Sequence, residues 1–368
     1  MPKMTAVKSC DMTRLRGVID TITAMTYSPP KRSRWALRVC RMEYVGATES
    51  PWPNERVCPV MKERLVIGTR KSPLALWQSE FVKRTLETAF PGVSIQLKHV
   101  ITLGDKTQSS SAVIPSIGGK GLFTAELEDC LSRGEIDLAV HSLKDLPTSL
   151  ALKFTVGAIP LRASVDDVVI SRLGARLATL PAGASVGTSS LRRSSQILRA
   201  RPDLMIRHIR GNVDTRIRKL RSEDGGYDAI VLARAGLDRL GLSDQITEVV
   251  SHDIMLPAPG QGALGIECRS DDQAVLAMLS KLHDPDTAAA VNAERAFLAA
   301  LDAGCNTPVG AIARVTGDRL TFWGRCLSPD GTRCIETRGE CARGEEVALG
   351  RRMADETRAQ GFSDLQCA

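Results

Sequence analysis

The chain has 368 residues, 43% of them hydrophobic and 25% charged, which excludes a single small module, since one hydrophobic core stops growing well before this length. The balance is that of a soluble globular protein, and no run of about 18 apolar residues is present to cross a bilayer. The formal charge of +7 is uneven, because residues 1–60 hold ten Lys and Arg against five Asp and Glu; with most of the excess in one terminal segment, basicity is a poor argument for nucleic acid.

Residues 1–60 contain "SPPKRSRWALRVCR" and "ESPWPNERVCP" without an apolar face of useful length, and they read as a disordered extension. An organelle-targeting peptide is one reading, which the five acids oppose. Translation from an upstream start, with Met61 as the functional beginning, is the favoured one. The ten cysteines (Cys10, Cys40, Cys58, Cys130, Cys268, Cys305, Cys326, Cys334, Cys341 and Cys367) show no CxxC spacing and no paired His/Cys cluster. Neither a zinc site nor a secreted disulfide framework is suggested, and a reducing, cytoplasmic location is expected.

From Met61 the texture changes. The stretch "RLVIGT" predicts a strand, and "LALWQSEFVKRTLETAF" predicts a helix with Leu74, Trp77, Phe81 and Leu86 at helical spacing. Strand "SIQLKHV", helix "GLFTAELEDCLSRG" and strand "DLAVHSL" continue the alternation. The pattern restarts with strand "ASVGTSS", helix "LRRSSQILRAR", strand "LMIRHIRG", helix "VDTRIRKLRSEDG" and strand "YDAIVLA". Such alternation calls for sheets covered by helices. The Pro- and Gly-bearing "PAPGQGALGIECR" then offers a place to cross back to the first unit. Beyond Asp284, an Ala-rich helix, strands around the turns "TGDR" and "SPDG", and a closing helix from Glu345 form an α+β unit.

Between Thr188 and Arg221 there are ten Lys and Arg but only two acids, Asp203 and Asp214. A solvated helix face accounts for Arg199, Arg201, Arg218, Lys219 and Arg221. It does not account for Arg192 and Arg193, which fall in a first helical turn after Thr188, Ser189 and Ser190. Basic residues there oppose the helix dipole, so a bound anion that compensates both is expected. Arg210, Asn212 and Arg216 repeat the arrangement after the next strand, as do Arg70 and Ser72 after the first. Three such strand ends imply a ligand with several carboxylates or phosphates, which the planar guanidinium fork suits.

Aromatic residues make up only 4% of the chain, too few for stacking on bases. "IGGKGLF" lacks the spacing of a nucleotide-binding loop; its glycines present Lys120. Lys144 and Asp145 sit at the end of a strand, where such sheets bind ligands, and a carboxylate among so many cations is placed to stabilise developing positive charge. In "LDAGCNTPVG", Cys305 follows a Gly hinge. A lone cysteine is most often a small buried hydrophobe.

The stretches "GTRKSPLALWQ", "GGKGLF", "HSLKDLP", "GTSSLRR", "IRGNVDTR", "LARAGLDRLG", "PAPGQGALGIE" and "AGCNTPVG" together resemble the porphobilinogen deaminase (hydroxymethylbilane synthase) family, in order and spacing from about Arg64 to the C-terminus. The resemblance implies two periplasmic-binding-protein-like α/β domains, residues 61–160 with 263–280 and residues 166–256, plus a smaller C-terminal α+β domain, residues 284–368. It implies a transferase of tetrapyrrole (heme) biosynthesis that condenses four porphobilinogens with loss of ammonia, and nothing in the sequence demands more than a monomer. It further implies a dipyrromethane cofactor joined through the thiol of Cys305 and held by Lys144, Ser72, Thr188, Ser189, Ser190, Arg192 and Arg193. Asp145 becomes the catalytic carboxylate. Arg70, Arg210 and Arg216 become contacts to substrate side arms, with Lys120, Phe123, Asn212, Arg239 and Gln261 as further cleft positions. One departure is Ala303, where the family commonly has glycine. A noncatalytic polyanion-binding module is the competing reading of the α/β units.

Overall fold

The structure, a computed structural model, describes residues 62–102, 124–303 and 307–366. Three sheets organise them. In the first, strand β1 (Arg64–Thr69) runs parallel to β2 (Ser94–His99) and to β3 (Leu138–Ser142). Leu65, Ile67, Leu138 and Val140 from these strands enter one buried cluster. Helix α1 (Pro73–Ala89) begins where Ser72 caps it by accepting a hydrogen bond from the Ala75 amide, with Pro73 preset for the first turn.

The buried face of α1 is Gln78, Ser79, Val82 and Leu86, rotated from the expected stripe. Of the four residues at helical spacing, Leu86 enters the cluster beneath the sheet and Phe81 packs against it. Leu74 points toward Gly236, and Trp77, stacked on Phe81 with ring centroids 5.6 Å apart, lies under the Arg239 guanidinium. The helix therefore divides its apolar residues between its own sheet and a neighbour across the cleft.

Helix α2 (Ala125–Ser132) covers the opposite face. Past β3 the chain makes one 3-10 turn, Leu143–Asp145, and reaches β4 (Phe154–Ala158). Between β3 and β4 lies an antiparallel strand from far along the chain, β10 (Leu264–Arg269), giving the order β2-β1-β3-β10-β4.

The second sheet repeats the scheme, with order β7-β6-β8-β5-β9. It consists of β5 (Asp167–Ser171), β6 (Ser185–Gly187), β7 (Met205–Arg207), β8 (Ala229–Ala233) and β9 (Glu248–Val249). Strands β6, β7 and β8 are parallel, whereas β5 runs against β8 and β9. Helices α3 (Leu191–Ala200), α4 (Val213–Arg221) and α5 (Arg234–Arg239) follow β6, β7 and β8. The expected strand "LMIRHIRG" is only three residues long, because the chain turns toward α4 at Gly211, whose φ is +116°. In both sheets the parallel strands release their loops at one edge, the usual ligand crevice of such folds.

The two sheets are joined by the segments 159–166 and 250–263. Gly262 shows how tightly these pack. It has φ +83°, and a Cβ there would come within 2.5 Å of the Ala163 carbonyl oxygen on the other crossing, so only glycine fits.

Helix α6 (Gln273–Leu279) leads to α7 (Pro285–Ala300), which Asp284 caps and Pro285 opens. The third sheet is an antiparallel meander, β11 (Val309–Thr316), β12 (Arg319–Leu327) and β13 (Cys334–Ala342). Helix α8 (Glu346–Ala359) and α7 cover one face, and α9 (Phe362–Gln366) closes the chain. Phe297 and Phe322, with ring centroids 5.1 Å apart, centre that core with Leu349 and Met353. Each such side chain contributes about 1.5–3 kcal/mol on burial. The β12–β13 turn docks on α3, since a Cβ at Gly331 would lie 2.3 Å from the Ser195 carbonyl oxygen.

Candidate active site

Between the first two sheets lies a cleft of about 350 Å³. Its walls bring together Arg70 and Ser72 after β1, Lys144 and Asp145 after β3, Arg193 on α3, Asn212 and Arg216 at the start of α4, and Arg239 at the end of α5. Eight residues expected from the sequence thus meet on one surface, because each follows a strand whose carboxyl end opens there. Cys305, Lys120 and Phe123 lie outside the described residues, as do residues 1–60.

The cations are held rather than loose. Arg216 donates from Nε to the Gly211 carbonyl at 2.8 Å, and Arg239 donates to the Gly262 carbonyl at 2.7 Å while its guanidinium sits over Trp77. Burial lowers the affinity of both for their protons, to about 10 for Arg239. Lys144 donates to Gln261 Oε1 at 3.3 Å. Burial pushes its ammonium down to about 8; Asp145 opposes that shift and Arg193 adds to it. Asp145 is exposed into the cleft with Lys144 and Arg216 as charged neighbours.

The anion expected to compensate Arg192 and Arg193 comes from the chain itself, which corrects the sequence expectation of a bound ligand in that role. Asp167, wholly buried at the start of β5, takes Arg192 at 2.6 and 3.3 Å and Arg193 at 2.8 and 3.0 Å. Burial alone would raise its pKa, but the two guanidinium groups outweigh that and hold it below the ordinary carboxylate range. Arg192 also donates to the Leu256 carbonyl and is not on the cleft wall; Arg193 is. Two guanidiniums on one carboxylate leave positive charge in excess, and it reaches the cleft through Arg193.

Several other expected residues stand behind the wall. Ser189 donates to the Ile209 carbonyl and accepts from the Ile209 amide, pinning the loop after β7 to the start of α3. Thr188 accepts from the Ser190 amide, and Ser190 is the N-cap. Arg210 is exposed, and its carbonyl accepts from Lys219. Gln261 is fully buried and donates to both the Val165 carbonyl and Asp167. Sequence reasoning missed Asp167, whose signal was an acid opening an otherwise apolar strand. It also missed Glu294, in the middle of α7, which takes Arg162 through two bonds of 2.8 and 2.9 Å and accepts from the Gly260 and Ala313 amides. Nothing in an Ala-rich helix announces such a partner.

The cleft sets five cationic side chains around two exposed carboxylates, Asp145 and Asp214, with Ser72 and Asn212 as uncharged donors. Fold and site define a two-lobed α/β protein with a cationic, carboxylate-bearing cleft between its lobes.

The family described as "Porphobilinogen deaminase, dipyromethane cofactor binding domain" matches residues 65–277, and "Porphobilinogen deaminase, C-terminal domain" matches residues 288–359. A porphobilinogen deaminase of Roseiflexus sp. (strain RS-1) is 47% identical over 301 residues, covering 82% of this chain and 98% of that protein. One of Pelotomaculum thermopropionicum is 46% identical, covering 83% and 96%, and one of Geobacter sulfurreducens is 50% identical, covering 74% and 84%. Among solved structures, the methionine-binding protein MetQ is similar over 60% of this chain and 90% of that one, at 14% identity and a TM-score of 0.39. The chain belongs to the porphobilinogen deaminase family.

Proposed function

We propose that this chain is a transferase that condenses four porphobilinogens, with loss of ammonia, into linear hydroxymethylbilane. The observation that carries the reading is Asp145, exposed in a cleft whose other charged walls are Arg70, Lys144, Arg193, Asp214, Arg216 and Arg239. Every pyrrole unit brings an acetate and a propionate, and the cationic walls take these arms. Asp145 accepts from pyrrole N–H groups and stabilises the positive charge that develops when the aminomethyl nitrogen leaves. A preorganised charge of this kind is worth about 10²–10³ in rate.

A dipyrromethane in the cleft supplies an electron-rich pyrrole carbon at which new units join. Lys144, Ser72 and Arg193 hold its acid arms, with Thr188, Ser189, Ser190 and Arg192 fixing the wall behind. The thiol of Cys305 is its attachment point, sulfur adding readily to an electrophilic methylene. In support, Cys130, Cys268, Cys326 and Cys341 are buried, and burial pushes the Cys268 thiol up to about 12, which suppresses the reactive thiolate. Arg70, Arg216, Asn212 and Arg239 contact the incoming unit. Residues 61–160 with 263–280, 166–256 and 284–368 serve as the three domains.

Purified protein given porphobilinogen should release one ammonia per substrate consumed. Reversible binding of porphobilinogen without ammonia would contradict the reading.

A further inference from the structure

His141, in β3, lines the same cleft, yet the proposed reaction assigns it nothing. Its side chain is 7% exposed, and Nε2 lies 2.9 Å from Oε2 of Glu267 in β10, a side chain with no exposure at all. The antiparallel register explains the contact. Glu267 pairs with Ala139 and Gly265 with His141, so the two side chains lie diagonally on one face of the sheet.

The other carboxyl oxygen of Glu267, Oε1, is buried without a hydrogen-bond partner. So is the hydroxyl of Thr124, a cleft-lining residue at the start of α2. Buried polar atoms are almost always paired, and a lone buried carboxylate is costly unless its charge is balanced. With Nε2 engaged by Glu267, Nδ1 is the ring nitrogen of this cleft-lining residue left without a hydrogen-bond partner among the described residues.

We propose that His141 is the base that takes the proton released as each new carbon–carbon bond forms, with Glu267 as the residue that positions its ring and balances the imidazolium. This rests on the condensation reading above. In each round the C–N bond of the substrate ammonium breaks, and its electron pair leaves with ammonia. The methylene carbon gains the electron pair of a pyrrole α-carbon. The proton of that carbon passes to Nδ1 of His141, and the C–H electrons restore the ring. The imidazolium then gives its proton to the released ammonia, which departs as ammonium, so atoms and charge balance without a further reactant. The charged groups on the cleft wall are Lys144 and Asp145 after β3, Arg70 before α1, and Arg193, Asp214, Arg216 and Arg239 from the second lobe, with Glu267 from β10 against the ring itself.

The test uses holoenzyme with porphobilinogen deuterated at its free α-carbon. In His141→Asn, kcat should fall by about 10²–10⁴, the usual worth of a positioned base, with KM within about threefold and a deuterium effect appearing on product formation. Nitrogen-15 NMR of the His141 ring supplies a readout independent of turnover. In Glu267→Gln the ring nitrogen resonances should change, since the hydrogen bond at Nε2 fixes which nitrogen carries the proton and how the ring is oriented. Wild-type turnover in His141→Asn without an isotope effect would overturn the proposal and leave the condensation reading standing, as would unchanged ring nitrogen resonances in Glu267→Gln. No ammonia release by the wild-type protein would overturn both. Should His141→Asn fail to fold, the NMR comparison still decides.

Discussion

Arg193 and Asp167 meet at 2.8 Å in the interior, the arginine reaching from the first turn of α3 to a carboxylate with no exposure. The same carboxylate takes Arg192 and Gln261. It fixes the one member of the group that faces the cleft and links the second sheet to the crossing segment, so its effects should divide between stability and binding.

Asp167→Asn should destabilise the fold by about 3–5 kcal/mol, the usual cost of leaving buried charges without their partner. Urea unfolding followed by circular dichroism checks this. A change below about 1 kcal/mol would mean that water or another anion replaces the carboxylate at little cost.

Asp145→Asn should behave in the opposite way. The side chain is exposed, so the melting temperature should stay within a degree or two, while turnover falls by at least about 10² because a neutral amide cannot balance a cationic pyrrole. Ammonia release and thermal melts on the same sample separate the two effects.

Arg216 and Arg210 looked equivalent in the sequence, one on each side of "GNVDT". The structure separates them, with Arg216 on the cleft wall and Arg210 exposed. Arg216→Gln should raise KM for porphobilinogen about 10- to 100-fold, the loss of one charge-assisted contact of about 1.5–3 kcal/mol. Arg210→Gln should change it by less than about threefold. Equal effects would place Arg210 on the substrate after all.

Lys144 gives a pH dependence with a definite sign. Burial holds its pKa near 8, so the ammonium that takes an acid arm is present below that pH and is lost as pH rises through it. Affinity for the acidic ligand should weaken above about pH 8, and Lys144→Arg, charged throughout, should remove that limb. Fold stability carries the reverse sign. The unfolded lysine keeps its proton to higher pH, so this group's contribution to stability rises between about pH 8 and the ordinary lysine pKa. KM against pH for the two proteins distinguishes them.

The strand–helix alternation and the strand-end arginines were legible because period and position are local properties. Helix α1 shows the limit: Leu74 and Trp77 share a core-stripe spacing with Phe81 and Leu86, yet they turn toward Gly236 and Arg239 of the second lobe. Periodicity reports that a face is apolar, not which partner it meets. The partners of Arg192 and Arg193 were illegible for a related reason. Asp167 lies 25 and 26 residues away in sequence, and only the pairing of β5 with β8 brings it beneath α3. Glu267 and His141, 126 residues apart, likewise meet only through the inserted strand β10.

The central claim, a pyrrole primer bonded to Cys305 in this cleft, is tested most directly by intact-mass spectrometry of active protein. The chain should be heavier than its sequence by two porphobilinogens less two ammonia molecules, and Cys305→Ser should show the bare mass and no turnover. Turnover by a chain of bare mass would contradict it.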